Sequence, residues 1–189
     1  MRCWLALLLL LSFTAEARWY LDNESSRISF VTSHDTQRAE VGRFLKLHGL
    51  IEEAGQVLLR VELETVSSGH AQRDSILREQ LFDIRRFPEA RIVAELDTTR
   101  FMPLADGAQQ EVRLPIELTL LGRTLRLETE LLVTRLDALR FQIVTLAPLV
   151  LPLQDLGLSA TITALAEHGD VRNINLAVPV SAVLIFTRR

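Results

Sequence analysis

Apolar and polar residues alternate with a period of two along most of this chain, the pattern of strands whose two faces meet different surroundings. In 57–65, Val57, Leu59, Val61 and Leu63 share one face and Arg60, Glu62 and Glu64 the other. In 111–120, Val112, Leu114, Ile116, Leu118 and Leu120 oppose Glu111, Arg113, Glu117 and Thr119. Leu125, Leu127 and Leu131 oppose Arg126, Glu128 and Glu130, and Ile92, Ala94 and Leu96 oppose Arg91 and Glu95. A last strand at 175–187 alternates Leu176, Val178, Val180, Ala182, Leu184 and Phe186 against smaller or mixed residues. Further strands are expected at 19–21, 27–32, 38–51 and 139–147.

Turn residues separate these runs: Gly55 in 52–56, Asp106-Gly107 in 105–109, and Gly122-Arg123, which predicts a tight hairpin. Two segments follow a helical period instead. Residues 71–81 place Ile76, Leu77 and Leu81 together behind Asp74, a candidate N-cap. Residues 158–168 place Leu158, Ile162 and Leu165 on one face, and Gly169 follows as a stop. Seven or eight antiparallel strands with one apolar face each predict an all-β fold with one or two short helices. Closure into a barrel removes the exposed edges, and a sandwich would use the same alternation.

Residues 1–17 stand apart from this pattern. Arg2 is followed by an apolar stretch from Trp4 to Phe13 and by Ala15-Glu16-Ala17, the order of a secretory signal peptide cleaved before Arg18. A bilayer span needs about 20 apolar residues, twice what this run offers. The expected organisation is therefore a signal peptide over 1–17 and one barrel domain over 18–189. Cys3, the one cysteine, falls within the leader, so neither a disulfide framework nor a multi-cysteine zinc site is available. With 21 Lys+Arg against 24 Asp+Glu, no basic excess exists for nucleic acid.

Alternation does not say which face points inward. An outer-membrane barrel would turn the leucines to lipid and carry aromatic girdles at both interfaces. Here Trp19 and Tyr20 are adjacent, and the other face is densely charged, which favours a soluble barrel with its apolar face inside. A barrel of eight strands either fills itself with side chains or holds one small ligand. Leucine-rich walls with few aromatics suit an elongated cavity, in which each buried methylene is worth about 0.8 kcal/mol. Composition leaves a solid core equally open.

Particular residues carry a resemblance. Trp19-Tyr20-Leu21-Asp22 precedes Ser26, Ile28 and Phe30. His34, Gly42-Arg43-Phe44 and Gly49 follow, then Val66-Ser67-Ser68-Gly69, Arg73-Asp74, Leu77, Leu81-Phe82-Asp83 and Phe87-Pro88. In this order the chain resembles the YceI family of exported, lipocalin-like proteins. The resemblance implies a soluble eight-stranded antiparallel barrel and a periplasmic location. It also implies a long-chain isoprenoid, quinone-like or other amphiphilic ligand and, in some members, a homodimer. The chain departs from the family pattern at Leu120-Leu121-Gly122, where a His-Gly is common, and at Asp155-Leu156-Gly157.

The expected ligand-facing residues are Phe30, Phe44, Leu59, Val61, Leu63, Phe82, Leu114, Ile116, Leu118, Leu127, Phe141, Val180 and Leu184, with His34 and Arg73 at a polar mouth. For Arg73 and Asp74, helix capping and loop anchoring compete with headgroup binding. The histidines lack metal-ligand spacing, and Ser67-Ser68-Gly69-His70 lacks the nucleophile-elbow pattern. The expectation is a lipid-binding protein for transport or storage, without a cofactor, metal or catalytic group. An enzyme acting on a lipid-like substrate and a filled, ligand-free barrel serving as a stress or assembly partner are the competing readings.

Overall fold

The computed structural model describes residues 18–34, 38–168 and 174–189. The expected leader 1–17 and the helix stop at Gly169 lie outside the described residues. The strands are β1 (Trp19–Leu21), β2 (Arg27–His34), β3 (Arg38–Phe44), β4 (Leu47–Ile51), β5 (Gln56–Glu62), β6 (Val66–Ser67), β7 (Glu89–Glu95), β8 (Gln109–Leu120), β9 (Arg123–Asp137), β10 (Arg140–Thr145), β11 (Leu149–Pro152) and β12 (Ala177–Arg188). The helices are α1 (Ala71–Ile76) and α2 (Ser159–His168).

Several short strands are halves of one ribbon. β1 and β2 both pair with β12, β3 and β4 continue each other across Leu45-Lys46, and β10 and β11 share one edge of β12. β5 and β6 are separated by a single tight turn, Leu63–Thr65. Eight antiparallel ribbons result, and the first returns to the last through Trp19 opposite Arg188 and Phe30 opposite Val180. The ring is closed, which decides barrel against sandwich. Closure leaves few free edges and satisfies the backbone groups an open sheet would expose.

Register explains which face is buried. Across β8 and β9, Leu114 lies opposite Thr129, Ile116 opposite Leu127 and Leu118 opposite Leu125, so these point into the barrel together. The intervening residues face outward, where Arg126 pairs with Glu117 at 2.9 Å and Arg113 pairs with Glu130. Such exposed pairs contribute about 0–1 kcal/mol each, whereas burying one leucine is worth about 1.5–3 kcal/mol. The inner face therefore holds the wall together. A charged outer face is the reverse of the apolar belt that a lipid-spanning barrel presents.

The β8–β9 hairpin turns on Leu121 and Gly122, one position earlier than the sequence suggests. Both have positive φ, 53° and 74°, as a two-residue hairpin whose twist matches its strands requires. At Gly55 a side chain is excluded outright. A Cβ there would lie 2.1 Å from the Leu96 carbonyl oxygen, while the Leu96 N–H donates to the Gly55 carbonyl at 2.8 Å.

One end of the barrel is filled. Trp19 meets the Phe141 ring edge-on at 4.9 Å, and Phe186, Phe101 and Val133 are buried around them. Gly49 makes this possible, because a Cβ there would sit 3.1 Å from the Phe186 ring and 2.9 Å from Leu21.

Candidate functional site

The other end is hollow. A cavity of about 280 Å3 runs inside the wall, room for about nine water-sized groups. Its floor is Phe186 and Leu96 of the filled end, and its sides are Leu59, Val61, Leu63, Ile92, Leu114, Ile116, Leu118, Leu131 and Leu184. Leu149, Leu151 and Leu153 from β11 and the turn after it, and Leu158 ahead of α2, complete the lining. Aliphatic side chains on a closed ring cannot all reach the axis, so the leucines leave space that the aromatic end does not.

Helix α1 and the segment after it lie between β6 and β7 in the chain and supply Arg73, Leu77, Leu81 and Phe82 to the cavity. The helix widens over Leu77–Leu81, where the Phe82 N–H donates to the Leu77 carbonyl five residues back at 2.9 Å. This carries Phe82 under the helix, where its ring packs 5.9 Å from Phe44, and Phe44 packs 5.5 Å from Phe30. The Phe30 ring lies across Gly42, where a Cβ would come within 2.3 Å of its tip. A bare glycine opposite phenylalanine lets the ring lie flat on the wall instead of standing in the cavity.

Two charged side chains line the cavity among the described residues, and they hold each other. Arg73 Nη2 donates to Glu40 Oε1 at 2.8 Å, while Nη1 pairs with Oε2, a two-point contact between the guanidinium and the carboxylate. His34 Nε2 lies 3.6 Å from Glu40 Oε1. Thr32 and Ser68 share this region of the lining. The remaining polar wall groups are a few hydroxyls, and one of these, Thr145 Oγ1, already accepts the Ala182 N–H at 3.2 Å.

Asp74 is not the N-cap of α1. The helix begins at Ala71 behind His70, which offers no side-chain cap, and Asp74 lies in the first turn. Its Oδ1 accepts both the N–H and the hydroxyl of Ser68 at 2.7 Å, tying the preceding loop to the helix. Burial pushes the carboxyl up, but the two Ser68 bonds and the charges of Arg78 and Arg73 outweigh it and hold Asp74 below the ordinary aspartate value. The Ser/His cluster is thereby accounted for. The Ser68 hydroxyl serves Asp74, and His70 Nδ1 sits against the Ser68 carbonyl at 3.3 Å.

Of the expected ligand-facing residues, Phe30, Phe44, Leu59, Val61, Leu63, Arg73, Phe82, Leu114, Ile116, Leu118, Val180 and Leu184 all line the cavity. Three do not. Phe141 belongs to the filled end, packed on Trp19. Leu127 points inward with Ile116, but on the part of β9 that has no β10 partner, and it packs half-buried at the core's margin. His34 ends β2 itself and stands behind Glu40 instead of on the lining. Glu40 was missed. Its signal was parity: Glu40, Gly42 and Phe44 share the inner face of β3, and an acidic residue on an inner face is out of pattern.

A closed eight-ribbon barrel around an apolar cavity has the architecture of small barrels that can hold one ligand. A family model described as the YceI-like domain matches residues 19–184, nearly the whole described chain. The chain belongs to the YceI-like family. Its structure is similar to that of a polyisoprenoid-binding domain from Saccharophagus degradans implicated in plant cell wall breakdown. That match has 30% identity and a TM-score of 0.88, covering 90% of this chain and 98% of that one. It also shares the fold of Burkholderia cenocepacia BcnA, with 13% identity and a TM-score of 0.64, covering 87% of this chain and 98% of the other. No curated protein matches the chain.

Proposed function

We propose that this protein binds lipid by enclosing a long apolar chain, a polyisoprenoid, quinone-like or fatty amphiphile, inside the barrel, and that it carries or stores that ligand. The observation behind this reading is a deep cavity walled almost wholly by leucine, isoleucine, valine and phenylalanine. A hydrocarbon of about ten carbons filling it gains about 8 kcal/mol from desolvation, of the same order as typical association costs of about 4–15 kcal/mol. Similarity to the Saccharophagus polyisoprenoid-binding domain supports the same class of ligand. Binding is favoured over catalysis because the groups that could do chemistry are occupied: Arg73 with Glu40, and Ser68 with Asp74. The leader-like segment 1–17 supports export to the periplasm, where such a carrier would shield its cargo from water.

Native mass spectrometry of protein expressed from its full reading frame and purified without detergent tests this. The expected spectrum shows a chain cleaved after Ala17 with added mass that organic solvent extracts. Only the bare polypeptide mass, together with no uptake of a fluorescent lipid, overturns the binding reading.

A further inference from the structure

The structure assigns a membrane-docking surface to one side of the barrel: the outer face of β3, β2, β12 and β11 rests on a phospholipid bilayer, with Leu146 and Val150 entering its interface. The charged outer face of β8 and β9 does not continue around the ring. Val150 lies opposite Pro179 and Val31 opposite Val41, while Pro179 and Val31 are next in register to Val180 and Phe30. Val180 and Phe30 line the cavity, so alternation turns this row of four outward. Val41 is 64% exposed, Val150 52%, and Leu146, at the bend that leads into β11, 45%. A contiguous apolar patch on an outer wall marks a surface that meets a partner.

Charge distinguishes the partner. β2, β3, β10, β11 and β12 carry five arginines and one carboxylate, Glu40, which lines the cavity. Arg27 Nη1 donates to the carbonyl oxygens of Glu24 and Ser26, each at 2.7 Å, and Arg43 is exposed on β3 without an ion-pair partner among the described residues. Elsewhere on the barrel Arg60 pairs with Glu89 at 3.5 Å and Arg126 with Glu117 at 2.9 Å. Apolar side chains rimmed by arginines without carboxylate partners fit a lipid interface, where the former enter the acyl boundary and the latter meet phosphates. A second copy of the same face would offer those arginines no outward carboxylate from these strands.

The cavity adjoins this patch. Leu149 and Leu151 line it from the same strand that exposes Val150. β10 pairs with β9 only as far as Thr145 opposite Leu131, the Leu146 N–H donates to the Glu130 carbonyl at 2.9 Å, and β11 pairs with β12 alone. The first half of β9 therefore has no strand partner on this side, and side chains close the wall there. On the lipid-binding reading, that stretch gives a tail a route between bilayer and cavity. Docking itself needs no bound cargo.

Docking is read by flotation with vesicles of phosphatidylethanolamine and phosphatidylglycerol in equal parts, and with vesicles of phosphatidylcholine. Wild type is expected to float with both, and with the anionic vesicles at lower lipid concentration, an advantage that raised salt removes. Val150→Asp puts a carboxylate on the apolar row and should need about tenfold more lipid. Leu146→Asp gives the same readout if Val150→Asp does not fold, as checked by circular dichroism. Val93→Asp, at a valine 46% exposed on the outer face of β7, should float as wild type does. Arg43→Gln should weaken binding to the anionic vesicles about twofold and leave phosphatidylcholine vesicles unaffected. Wild type that floats with neither vesicle overturns the inference. So do folded aspartate variants at 146 or 150 that float like wild type, or an equal loss in Val93→Asp. Self-association of wild type without flotation, undone by Val150→Asp, assigns the face to a second copy and overturns docking. Uptake of a fluorescent lipid from aqueous dispersion is measured on the same samples. Uptake without flotation removes docking and leaves lipid binding standing, whereas flotation without uptake does the reverse.

Discussion

The filled and hollow ends of this barrel are made from the same alternating strands and differ in what points inward. At the filled end the Trp19 and Phe141 rings touch, and Phe101 and Phe186 are buried beside them. At the hollow end Leu59, Leu114, Ile116 and Leu118 stop short of it, and the three phenylalanines present, Phe30, Phe44 and Phe82, lie along one wall. Strand number fixes the bore, so side-chain reach decides whether a ring of eight is a core or a container. One end can then hold the fold together while the other stays empty.

Three substitutions would break or sharpen that contrast. Phe141→Ala opens a hole in the filled end and should cost about 3–5 kcal/mol of stability, read by urea unfolding with Trp19 fluorescence. Leu59→Ala is buried by the same measure of exposure, yet part of its surroundings is already empty. Its cost should fall near the lower end of the leucine range, about 2 kcal/mol, with weakened lipid binding as the larger effect. Equal costs at the two sites would mean that the hollow end is packed in solution. The smallest effect is expected at Asp74, outside both packing zones. Asp74→Asn should lose about 1 kcal/mol at neutral pH, since the amide oxygen can keep both Ser68 bonds but without the charge that strengthens them. Because the folded-state value is lowered, that contribution is complete above about pH 4, the ordinary aspartate value, and is lost as pH falls through the lowered value. The gap between variant and wild type, followed by thermal unfolding as the pH is lowered from about 7, should narrow below about pH 4.

Much of this was legible in the sequence because a period of two constrains every residue of a strand at once. Once Leu114, Ile116 and Leu118 are assigned inward, register fixes Leu125 and Leu127 with them. Depth along the axis was not legible. Phe141 and Phe44 follow the same inward rule, and one fills the floor while the other lines the cavity, because position along the barrel depends on how far each ribbon is staggered. Leu127 shows the same gap, since its exposure depends on where β10 ends, which its own strand does not encode. The apolar run 146–153 has no alternation to reveal β11, whose inner residues complete the lining. The Arg73–Glu40 pair joins residues 33 positions apart and depends on α1 folding back over β3.

The seam between β1 and β12 has a consequence for the order of assembly. Trp19 lies opposite Arg188, and the Arg189 N–H donates to the Arg18 carbonyl at 3.0 Å. The first ribbon therefore finds one of its two neighbours only when the last has been made. A chain synthesised N-terminus first cannot close its ring until residues 180–188 emerge. Until then β1 and β2 keep an unpaired edge, and contacts spanning nearly the whole chain must form last and slowly. Delayed closure makes those final residues the step at which folding commits.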